Sequence, residues 1–152
     1  NHPAPSTSKA KTPALSRGYF TRRKIHKYSS FATLPLLAAE AVVGQKLFDE
    51  RDSESSSLRS VHSGLAAGIG VLFGVESVTG VWNMLEARKV ARVSKKRLFH
   101  GVLMLAADAG FFATAATAPG DDDRRDASAH KAIAYTSIGV AAFGYIYALI
   151  AK

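Results

Sequence analysis

The sequence predicts an all-α membrane protein: an up-down-up-down bundle of four transmembrane helices with the N- and C-termini both on the inner side. Three observations carry this. The apolar residues are gathered into four runs, about 28–48, 61–85, 98–119 and 131–151, although mean hydropathy over the 152 residues is near zero. Each run is about as long as the ~20 residues a helix needs to cross a bilayer. The segments between the runs alternate between basic and acidic, and each run has a histidine at its mouth: His26, His62, His100 and His130.

Residues 1–24 read as a flexible basic tail of Pro, Ser, Thr and Lys with little apolar pattern. The chain starts at Asn, which suggests processing or an incomplete sequence. A basic, acid-free, Ser/Thr-rich tail fits the remainder of an organellar transit peptide and a bacterial cytoplasmic tail equally well. His2 lies in this tail and is given no function. Residues 25–152 form the bundle. The first run, "KYSSFATLPLLAAEAVVG", is the least apolar. The polar loop "DERDSESSSLRS" at 49–60 is short enough to force an antiparallel neighbour. The second run holds "GLAAGIGVLFG", whose small residues at four-residue spacing suit close helix packing. A basic connection at 86–99 leads to the third run. A Pro-Gly turn signal opens "PGDDDRRDASA" before the fourth. "LLAAEA" in the first helix resembles "MLAADA" in the third, as two similar helical hairpins would.

The charges orient the bundle. Residues 1–27 hold seven Lys/Arg and no acid, and 86–99 hold six against Glu86. The other two connections carry Asp49, Glu50, Asp52 and Glu54, then Asp121, Asp122, Asp123 and Asp126. Positively charged loops stay on the cytoplasmic side, so the tail, the 86–99 loop and the C-terminus are expected inside and the acidic loops outside. Four spans require the termini to share a side, which is consistent with this assignment. The net charge of +8 is therefore read as topology and anionic-lipid contact, not nucleic-acid binding. The absence of cysteine excludes disulfides, iron–sulfur ligation by this chain and covalent haem attachment.

With that topology His26 and His100 lie at the inner face, and His62 and His130 at the outer face. Two histidines at one depth on facing helices supply the two axial ligands of a haem iron, so two pairs imply two non-covalent haems b, one near each surface. Residues at +4, +7, +11, +14 and +18 from each histidine share roughly its helix face. These stripes are mostly small or polar, reading Ala134, Ser137, Ala141, Gly144 and Ala148 from His130. The histidines are thus expected to point into the bundle. One histidine per helix in a four-helix membrane core, paired first with third and second with fourth, resembles the cytochrome b561 superfamily over about residues 25–151. The resemblance implies diheme transmembrane electron transfer. It carries over no substrate site, because no ascorbate- or ferric-site motif is present.

Glu40, Glu76 and Asp108 lie within the apolar runs, where acids are costly and usually face the interior. Glu40 follows His26 by 14 residues, about 21 Å of rise, which places it at the depth of the outer pair. Glu76 follows His62 by the same 14 and falls near the inner pair. Each is a candidate to bond a ligand Nδ1–H or handle a proton at that site, with bonding to a neighbouring helix as the plainer alternative. Asp108, at mid-membrane, is assigned helix–helix hydrogen bonding. Arg22, Arg23, Lys24, Lys95, Lys96 and Arg97 suit topology first and haem propionates second. Trp82 and several tyrosines suit interfacial anchoring.

No soluble segment is long enough to hold flavin or nicotinamide, so the donor and acceptor are expected to be quinone, a small reductant or a redox partner subunit. The chain would then belong to a larger electron-transfer complex in a bacterial inner, thylakoid or mitochondrial inner membrane. It reads as an electron-transfer cytochrome or oxidoreductase subunit rather than a stand-alone enzyme. The alternative is a haem-free structural subunit whose histidines bind lipid or single pigments. A transporter is third, since no helix is broken by Gly or Pro at mid-depth.

Overall fold

A computed structural model describes residues 14–50, 56–119 and 124–151. They form four helices: α1 (Arg17–Asp49), α2 (Ser56–Arg88), α3 (Lys95–Ala116) and α4 (Arg124–Ile150). All four are long and apolar enough to cross a membrane. The expected number and kind of elements are therefore present, and the chain has the make-up of an integral membrane protein. Most of the proposed tail, including His2, and parts of both acidic loops lie outside the described residues.

The helices run past their apolar cores. α1 starts at Arg17, inside the segment read as tail, because nothing between Arg17 and Lys27 breaks a helix and Ser16 caps it. The Ser16 Oγ accepts from the Tyr19 amide at 3.1 Å, satisfying one of the donors a helix start leaves open. Hydropathy reports only the stretch that meets lipid, so it cannot see a helix continuing into water. α2 similarly begins at Ser56, before the run at 61. α3 ends at Ala116 rather than 119, with Pro119 three residues on, where a helix cannot easily continue. Six residues, 89–94, join α2 to α3, and the Ser94 Oγ caps α3 through the Arg97 amide.

α1 packs along α2, and α3 along α4; contact between these two helix pairs is sparser. Where the pairs meet at mid-length, Leu37, Ile69, Phe73, Ala107 and Ala141 form a buried cluster. Phe73 and Phe111 meet edge to face across it, ring centres 4.9 Å apart. All of these residues lie on the stripes counted from the histidines. Large apolar side chains cover the outside, with Val71 70% and Phe112 80% exposed, as a lipid-facing surface requires.

Among the described residues the glycines of "GLAAGIGVLFG" have no close neighbour: a Cβ built at Gly64, Gly68, Gly70 or Gly74 would meet nothing within 4 Å. Close approach occurs elsewhere. A Cβ at Gly110 would collide with Ser137, and one at Gly144 would stand 3.1 Å from the Met104 sulfur. Spacing alone identifies a small face but not the neighbour it serves.

Candidate functional site

The four helix-mouth histidines meet in two pairs. His26 of α1 and His100 of α3 have ring centres 6.3 Å apart, with planes at 85°. His62 of α2 and His130 of α4 have ring centres 6.2 Å apart, with planes at 71°. Each pair bridges the two helix pairs.

Three of the four rings are held by the helix beside them. The His26 Nδ1 donates to the Glu76 carbonyl at 3.0 Å, with the Thr79 hydroxyl also at 3.3 Å. The His100 Nδ1 donates to the Gly144 carbonyl at 3.0 Å, and the His130 Nδ1 to the Thr114 carbonyl at 2.8 Å. A carbonyl only accepts, so Nδ1 carries a proton in these three, which in the neutral ring leaves the lone pair on Nε2. That is the tautomer a metal-binding histidine needs. His62 differs. Its Nδ1 stands 3.0 Å from the Glu40 Oε1, and among the described residues neither that ring nitrogen nor the Glu40 Oε2 has a hydrogen-bond partner.

A glycine sits under two of the rings. A Cβ at Gly80 would lie 3.3 Å from the His26 Cε1, and one at Gly44 would lie 3.3 Å from the His62 Cε1. With its Nδ1 side held against the neighbouring helix, each ring leaves Nε2 for a ligand.

The ring spacing can be tested against metal ligation. An imidazole nitrogen lies roughly 1.1–1.2 Å from its ring centre and metal–imidazole bonds run about 2.0–2.1 Å, so rings on opposite sides of one metal have centres about 6.2–6.6 Å apart. Both pairs fall in that interval. Among the described residues no three His, Cys, Asp or Glu side chains gather into a metal cage; axial ligation of a flat macrocycle asks for two.

The acids separate by role. Glu40 reaches the His62 ring with its carboxylate. Glu76 meets His26 through its backbone carbonyl, while its buried carboxylate accepts from the Thr33 hydroxyl at 3.0 Å. Asp108 bonds Ser77 of α2, a helix–helix contact. Of the basic residues beside His26 and His100, Arg22 donates to the Asn83 side chain at 2.9 Å, pairs with Glu86 and lies over Trp82. Arg97 donates to the Tyr19 hydroxyl at 3.2 Å and Lys96 to the Ala151 carbonyl. Arg23, Lys24 and Lys95 are exposed.

Sequence reasoning missed Thr114, Gly144, Gly44, Gly80 and Thr79 as supports. A signal for the first four was present: the Nδ1 partner is always 14 residues beyond the neighbouring helix's histidine, and Gly44 and Gly80 are 18 beyond. Comparison with known proteins found no matching family model, no matching curated protein and no matching solved structure.

Proposed function

We propose that this chain carries electrons across a membrane through two bis-histidine b-type haems, His26 and His100 holding one iron and His62 and His130 the other. The observation that carries the reading is the ring spacing of 6.3 and 6.2 Å in two pairs whose Nδ1 atoms are turned to the protein. A single-pigment ligand has no need of a partner ring at that distance, so the pairing favours haem over the structural-subunit alternative. Haem supplies one-electron chemistry. The protein's part is to hold the ligand nitrogens, exclude water with the belt around Phe73 and Phe111, and set the potential at each end.

The rest of the reading rests on the sequence expectations. The helices alternate in direction, with both termini and the basic 86–99 connection on the inner side and the acidic connections outside. The resemblance to the cytochrome b561 superfamily supports the pairing of first helix with third and second with fourth. Quinone, a small reductant or a redox partner subunit serves as donor or acceptor, in a complex of a bacterial inner or organellar membrane.

The test is a reduced-minus-oxidised optical spectrum with pyridine haemochrome quantitation on natively purified protein. Two b-type haems per chain are expected. A preparation without haem overturns the reading.

A further inference from the structure

The four ligand histidines are not held alike. Three give their Nδ1 proton to a backbone carbonyl, a neutral acceptor; His62 faces a carboxylate. The charges outside the pairs are also unequal. Within a turn or so of His26 and His100 stand Arg22, Arg23, Lys24, Lys27, Lys95, Lys96 and Arg97, against Glu86, which pairs with Arg22, and Glu76, whose carboxylate turns to Thr33. Near His62 and His130, Lys46, Arg59 and Lys131 are set against Asp49 and Glu50 at the end of α1. Lys131 lies over the Phe48 ring, 4.0 Å from its centre.

We infer that Glu40 makes the His62–His130 haem the lower-potential centre of the two, so that electrons run from the Glu40 end of the bundle toward the basic end. This rests on the diheme reading. A negative charge 3.0 Å from the ring of a ligand imidazole favours the more positive, oxidised iron, which lowers the potential. Cations around the other pair favour the reduced iron and raise its potential. The carboxylate acts at contact distance inside the bundle and is the larger effect; the surface cations are screened by salt. Both act in the same sense. Glu40 is a positioning residue here, working through His62 and not on the iron itself. The donor should accordingly dock at the Glu40 end.

The experiment is a spectroelectrochemical titration of the holoprotein, wild type against Glu40→Gln and Glu40→Asp, with electron paramagnetic resonance of each low-spin haem. Glu40→Gln should favour reduction of one haem at least tenfold, 59 mV for a one-electron couple, change the resonance of that haem alone and leave the other in place. Glu40→Asp should keep part of the wild-type value. Two haems with unmoved potentials, or with both moved alike, overturn the inference and leave the diheme reading standing. A wild-type preparation without haem overturns both. Should Glu40→Gln fail to fold, His130→Ala still decides: it should remove the lower-potential wave of the wild type, and removal of the higher one overturns the assignment.

Discussion

At the residue scale, the site is built from one offset used four times. Fourteen residues are about 21 Å of helix, and at that distance from each histidine stands the group that faces the ring on the adjacent helix: the Glu76, Thr114 and Gly144 carbonyls, which accept from it, and the Glu40 carboxylate, 3.0 Å away. Four residues further along α1 and α2 come Gly44 and Gly80, each with a histidine ring where a side chain would begin. Gly44→Ala and Gly80→Ala should therefore push His62 and His26, respectively, by a few tenths of an ångström and, on the diheme proposal, weaken haem retention at the pair concerned about 10–100-fold, the usual range for lost support around a metal ligand. Haemochrome content after dilution into apomyoglobin checks this. Gly101→Ala is the control, because a Cβ there meets only Met84 at an ordinary 3.8 Å. The histidines and both carboxylates were legible in the sequence, since a polar residue in an apolar run stands out. Thr114 and Gly144 were not, because they act through backbone oxygen, which every residue owns. For the same reason sequence could find Glu76 but not say that its carbonyl faces His26 while its carboxylate turns to Thr33.

At the element scale, the helices divide into a part that meets lipid and a part that does not. The apolar runs marked the first part of all four. The ends were illegible, because Arg17–Lys24 is as helical as the rest of α1 while looking like tail by composition. α1 gains those extra turns from a small polar cluster: Ser16 caps the helix, its own amide donates to Glu86 at 2.7 Å, and Glu86 in turn pairs with Arg22. Ser16→Ala removes the cap and should cost about 1 kcal/mol of local stability. The loss should appear as faster amide exchange in the first turn of α1, at Tyr19 above all, with the histidine pairs unchanged. Equal loosening at His26 would mean that the extension is coupled to the site and not merely attached to it.

At the scale of the whole molecule, the arrangement is two close helix pairs joined by a belt of small and aromatic side chains, with a histidine pair on either side. Hydropathy could find helices but not which neighbours they choose, so the looser seam between α1–α2 and α3–α4 was beyond its reach. The connection charges speak to a different property, the side of the membrane on which each end lies. Seven basic residues before Tyr28 and six between 86 and 99, against acidic residues in the other two connections, are the basis for expecting those two segments on the inner side. The chain has no cysteine, so a single introduced thiol reports its own side without background. Arg92→Cys lies between α2 and α3, and Asp49→Cys at the end of α1; both positions are exposed. In sealed right-side-out vesicles a membrane-impermeant maleimide should label the thiol of Asp49→Cys at once and that of Arg92→Cys only after detergent. Labelling in the opposite order would invert the bundle and, with it, the direction in which electrons from the Glu40 end cross the membrane. Labelling of both from outside would place α2 on one side of the bilayer and remove the four-span topology altogether.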